Sequence, residues 1–206
     1  MNLLLRGGIL MYVLVLVSVA VLAIVLEKYR QVSRVRKANE KLSHYLAQQD
    51  KLENVRAVLR IHGLGSPLGI MLDKLYNAHT QDPRLLENSM ESAANMELHK
   101  LEKGMGWLAT LSAIAPLIGF LGTVMGMVSV FMNIQGQGQN SVDINTLAGG
   151  IWQALLTTVG GLVVGIPAII FHNDLVQHME NIAKEMQSQA IEHEIRFQKI
   201  GEQPKA

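Results

Sequence analysis

WLATLSAIAPLIGFLGTVMGMVSVFM, Trp107 to Met132, is 26 residues without a charge, and its reading decides the fold. At about 1.5 Å per residue it makes roughly 39 Å of helix, more than the roughly 30 Å of hydrocarbon in a bilayer. It therefore predicts a membrane-spanning helix. Small residues fall at Ser112, Ala115, Gly119, Gly122, Gly126 and Ser129, in alternating steps of three and four. Such a stripe lets helix backbones approach closely where no hydrophobic effect drives association. Pro116 withholds the backbone donor that the carbonyl of Ser112 needs, a defect membrane helices tolerate where neighbours or water satisfy it.

Working outward, the next uncharged run is Leu147 to Phe171, LAGGIWQALLTTVGGLVVGIPAIIF, with a second stripe at Gly150, Ala154, Thr157, Gly161, Gly165 and Ala168, and a proline at Pro167. The segment between the runs, NIQGQGQNSVDINT from Asn133 to Thr146, has one acid and no Lys or Arg. A short loop without positive charge belongs outside the membrane. Gly7 to Leu26 is 20 residues without a charge, preceded by Arg6 and followed by Glu27, Lys28, Arg30, Arg34, Arg36 and Lys37. A signal peptide competes for this stretch, because Ala20 and Ala23 offer a small-residue cleavage pattern. The length of the apolar run and the basic flank after it favour a span whose C-terminal end lies in the cytoplasm. The expected order is a periplasmic N-terminus (1–6), first span (7–26), cytoplasmic helical region (27–106), second span (107–132), periplasmic loop (133–146), third span (147–171) and cytoplasmic C-terminal helix and tail (172–206). The fold class is an all-α integral membrane protein with three transmembrane helices and long cytoplasmic helical extensions.

The totals agree: 49% of the 206 residues are hydrophobic, and they are concentrated in blocks. A net charge of +1 implies no nucleic-acid partner, and the absence of cysteine excludes a disulfide scaffold and a thiol nucleophile. In the polar region, helical patterning runs to about Ile61 and is broken by HGLGSP at His62 to Pro67. Ser66 before Pro67 restarts a short helix to about His79. Asp82 and Pro83 start another, which is expected to continue straight into the second span. Its seam of Leu86, Met90, Ala94, Glu97, Leu101 and Met105 reads as helix-bundle core. After the third span, Leu175, Met179, Ile182 and Met186 mark one face of a long amphipathic helix to about Ile200, and the two extensions are expected to share one bundle.

The chemistry lies in hydroxyls. Thr123 and Thr158 fall within a turn of the same depth on antiparallel spans, with Thr157 beside the second and Gln153 one turn away. On one reading each threonine merely bonds the carbonyl one turn back. The pair at matched depth can equally form a polar lining for a proton path. No Asp, Glu, Lys, Arg or His lies between Gly104 and Val142 or between Ile144 and Phe171. Proton relays in membranes normally need such a group, so a carboxylate would have to come from another chain. There is no GxxxxGK[ST], HExxH or GxSxG pattern, no cofactor motif and no trusted metal spacing. Glu192, His193 and Glu194 point roughly 100° apart on a helix and are expected on a solvated face. No enzyme is indicated.

AIAPLIGFLGTVMGM at Ala113 to Met127, followed by ALLTTVGGLVVGIPAIIFHN at Ala154 to Asn173, resembles the ExbB/TolQ/MotA proton-channel family, most closely its ExbB/TolQ branch. The opening GGILMYVLVLVSVAVLAIVLEKY, from Gly7, resembles that branch's first span. The resemblance implies a homo-oligomeric ring, a homopentamer, in the bacterial inner membrane. Around its axis the second and third spans would face single helices of a partner similar to ExbD or TolR. That partner's membrane aspartate would carry protons, and the work would pass to a TonB- or TolA-like protein for biopolymer transport. On the family's pattern Thr123 and Thr158 match pore threonines, and Pro116 and Pro167 match the motif prolines. Gly119, Gly122, Gly126, Gly161 and Gly165 belong to the packing stripes. One position departs: Gln153 stands where ExbB-type proteins often have glutamate, and an amide cannot titrate. Three other roles compete: a membrane scaffold that conducts nothing, TolQ-like envelope maintenance, and a flagellar-type stator. The last is disfavoured because that branch typically has four spans.

Overall fold

The computed structural model describes residues 8–49, 52–76, 83–136 and 144–201, and among these every regular element is helical. The helices are α1 (Gly8–Ala47), α2 (Leu52–His62), α3 (Pro67–Tyr76), α4 (Pro83–Glu102), α5 (Met105–Gly136) and α6 (Ile144–Gly201), with a 3₁₀ turn at Gly63–Gly65. Three helical stretches are long and apolar enough to cross a membrane. α1 carries no Gly or Pro after Gly8, so nothing stops it where the composition changes from apolar to charged at Glu27. The chain forms two compact units, residues 8–26 with Gly104–Asp174, and Glu27–Lys103 with residues 175–201.

Several expectations are corrected. Helix does reach His62, at the start of HGLGSP, as expected, but with an additional break: the first helix ends at Ala47, and Gln49 N–H bonds the Leu46 carbonyl at 3.1 Å in the turn that follows. No residue in the sequence breaks it there; the new helix α2 buries Val55 and Leu59, which tertiary packing favours over continuity. The helix from Pro83 does not run straight into the second apolar run. α4 ends at Glu102, and Gly104 takes a φ of +94°, a left-handed conformation that glycine adopts at helix C-termini without a Cβ penalty. The segment expected as a loop from Asn133 to Thr146 is helical at both ends, through Gly136 and again from Ile144. The N-terminal residues 1–6, the end of the short helix near His79, and the tail after Gly201 lie outside the described residues.

The polar unit is a bundle with the expected seams. Leu86, Met90, Ala94 and Leu101 of α4 are buried, as are Leu175, Met179, Ile182 and Met186 of α6, while Glu97 is partly covered and pairs with Lys100. α3 starts as Ser66 predicts: its Oγ accepts the Gly69 N–H at 3.2 Å, an N-cap bond. The same Oγ donates to Asn39 Oδ1 at 2.6 Å, and that oxygen also accepts the Leu68 N–H, so buried Asn39 of α1 holds the start of α3. Lys28, 4% exposed, donates from Nζ to the carbonyl of Leu101 at 3.1 Å, satisfying one of the last carbonyls of α4. His193 does not lie on a solvated face. It is 8% exposed and its Nδ1 shares a 3.0 Å hydrogen bond with Tyr76 Oη, because the face that carries Met186 and Ala190 inward carries position 193 with it.

Candidate functional site

In the membrane unit α5 and α6 run antiparallel along their small-residue stripes, and the register can be read from what fills each gap. Ala115, Gly119 and Gly122 of α5 and Ala154, Thr157, Gly161, Gly165 and Ala168 of α6 are buried. A Cβ on Gly161 would lie 2.7 Å from the Ala115 carbonyl oxygen and 2.9 Å from Gly119 Cα, so the two backbones touch there. One turn away, Gly122 leaves room for the side chain of Thr157, and next Gly126 faces Ala154. At the other end, Gly165 accommodates the ring of Pro116: a Cβ there would be 2.5 Å from Pro116 Cγ and 3.3 Å from the Ser112 oxygen that Pro116 frees. The expected stripe needs one change, since Ser129 is exposed and Val130 takes the buried place, fitting against Gly150.

The seam determines where the four polar residues go, and it divides them. Thr158, half-buried, donates from Oγ1 across to the Gly119 carbonyl at 3.1 Å. Thr123, one turn along α5 from that carbonyl and also half-buried, bonds its own helix at Phe120 O, 2.6 Å. Thr157 is buried beneath Gly122 and donates to Ala154 O at 2.7 Å. Thr157 and Gln153 line a groove of about 230 Å³ with Gly122, Gly126 and Ser129 and the start of α1 at Gly8 to Leu10, whereas Thr123 and Thr158 do not. Neighbouring residues on a helix are about 100° apart, so Thr157 and Thr158 flank opposite sides of one contact. Gly8, with a φ of +67°, packs against the amide of Gln153.

Chemically, the two paired apolar runs, 107–132 and 147–171, offer hydroxyls, one carboxamide and close backbones, with no group that changes protonation near neutral pH. Among the described residues no cluster of His, Asp or Glu could hold a metal. Sequence patterning missed the part played by Gly8 and Ser129 in the groove, because neither small residue signals which neighbour it meets.

The sequence pattern of the MotA/TolQ/ExbB proton channel family matches residues 63–188. A Synechocystis protein named ExbB-like 1 is 30% identical over 84% of this chain and 68% of its own length. The biopolymer transport protein ExbB of Neisseria meningitidis serogroup A is 25% identical over 89% of this chain and 88% of its own. The Tol-Pal system protein TolQ of Haemophilus influenzae is 38% identical over a shorter stretch, 42% of this chain and 37% of its own. The match includes α5, α6 as far as residue 188 and the seam between them, and the relatives bear the names of the branch that the paired motifs resemble. The chain is a multi-pass membrane protein and belongs to the MotA/TolQ/ExbB proton channel family.

Proposed function

We propose that the chain is the channel subunit of an inner-membrane motor of the ExbB–ExbD or TolQ–TolR type, using the proton-motive force to energise a periplasm-spanning partner. The N-terminus lies outside and the C-terminus in the cytoplasm. Copies assemble as a pentameric ring around single-span partner helices, and the periplasmic recipient is a TonB- or TolA-like protein, with TonB-dependent uptake favoured. One observation carries this reading: two antiparallel helices are locked by glycine contacts and present hydroxyls at one level, and their apolar runs, 107–132 and 147–171, contain no titratable side chain. A rigid polar wall without a carboxylate suits a partner that brings one. Thr123 and Thr158 form the wall on one side of the seam; Thr157 and Gln153 line the groove on the other.

The test separates hydroxyl from packing. Thr158→Val keeps the volume and removes the donor to Gly119, and Thr158→Ser keeps the donor. With the partner co-reconstituted in liposomes, Thr158→Val lowers proton flux roughly fivefold, equivalent to about 1 kcal/mol for one hydroxyl, and Thr158→Ser stays near wild type. Equal flux in both variants would count against the lining role.

A further inference from the structure

α1 bears a feature that neither channel nor bundle core uses. Beyond Leu26, Arg30, Arg34, Lys37 and Lys41 are spaced four, three and four residues apart, and all are exposed. At about 100° per residue they fall within an arc of about 60°, along roughly 16 Å of helix. Each neighbouring pair is like-charged at the spacing where side chains meet, which destabilises a helix. None forms an ion pair with a described residue, whereas Arg36, on another face of the same helix, pairs with Glu40 at 2.9 Å. Two acids of α1 border this face, Glu27 three residues before Arg30 and Glu40 three residues after Lys37; Glu27 makes no ion pair with it, and Glu40 pairs with Arg36 instead. Elsewhere the bundle surface mixes its signs, as in Lys100 with Glu97.

We infer that this stripe is the docking face for an acidic segment of another polypeptide, running alongside α1. Its length matches about five residues of extended chain or three turns of helix. Lipid headgroups fit less well: Lys37 and Lys41 lie about 16 and 22 Å along the helix beyond Leu26, past a headgroup layer of roughly 5–8 Å. A second copy of this chain also fits less well, since no described helix presents four acids on one face. The inference is independent of proton conduction.

The test uses the full chain in phosphatidylcholine nanodiscs and a fluorescein-labelled octaglutamate peptide, with binding read by anisotropy at two salt concentrations. Wild type binds in a salt-sensitive way. The double variant Arg34→Gln/Lys37→Gln weakens binding about tenfold or more, and Arg36→Gln changes it less than about twofold. Adding anionic lipid to the discs leaves wild-type binding in place. Three results would overturn the inference: no peptide binding in wild type, equal weakening by Arg36→Gln, or loss of binding in anionic discs, which would assign the stripe to lipid.

Discussion

Thr157 and Thr158 are adjacent and chemically identical, yet one is sealed beneath Gly122 and the other reaches across to the Gly119 carbonyl. The sequence made their depth legible, because rise per residue is fixed. It did not reveal on which side of the helix contact each would lie, because that depends on the partner helix's rotation. Lys28 and Asn39 were illegible for the same reason: each is a polar residue on a long helix with no local signal, and each bonds backbone more than 25 residues away in sequence. Lys28 gives a residue-level prediction. Lys28→Met keeps the stem and removes the donor to Leu101, and this should lower the bundle's stability in detergent by about 1–3 kcal/mol. Lys100→Met, which loses a partly exposed surface pair, should change it by less than about 1 kcal/mol, both read from thermal unfolding by circular dichroism. Equal losses would mean that the Leu101 contact contributes nothing specific.

At the scale of elements, the three apolar runs and the two small-residue stripes were legible, since charge-free length and three-four spacing carry their own physics. The breaks were not. Gly104 is one of 18 glycines, and only its φ of +94° shows that it ends a helix, whereas Gly106, two residues on, lies inside one. The turn after Ala47 has no breaker at all. The seam makes a sharp prediction, because its glycines are not equivalent. Gly161→Ala places a methyl against the Ala115 oxygen and Gly119 Cα and should cost about 1–3 kcal/mol. Gly149→Ala, with open space around the site, should be neutral or stabilising by up to about 1 kcal/mol through helix propensity. Thermal stability of the two purified variants decides it, and a loss in Gly149→Ala equal to that in Gly161→Ala would contradict the register described for α5 and α6.

At the scale of the whole molecule, the family and the motifs that carry it were legible, and the assembly was not. Close packing is written into small-residue stripes, but ring size is not, because the same stripes serve contacts within one chain. The exposed apolar residues of α5 and α6, Leu117, Phe120, Val124, Val159 and Val163 among them, meet lipid or other chains in the membrane. The absence of a titratable group in the second and third spans makes the central claim depend on a partner. Native mass spectrometry of the complex, purified from its own membranes through a tag on this chain, tests that claim most directly. The account predicts a pentamer holding two copies of a single-span protein with an aspartate in its membrane helix; a homo-oligomer with no such protein would leave the path without a proton carrier and contradict it.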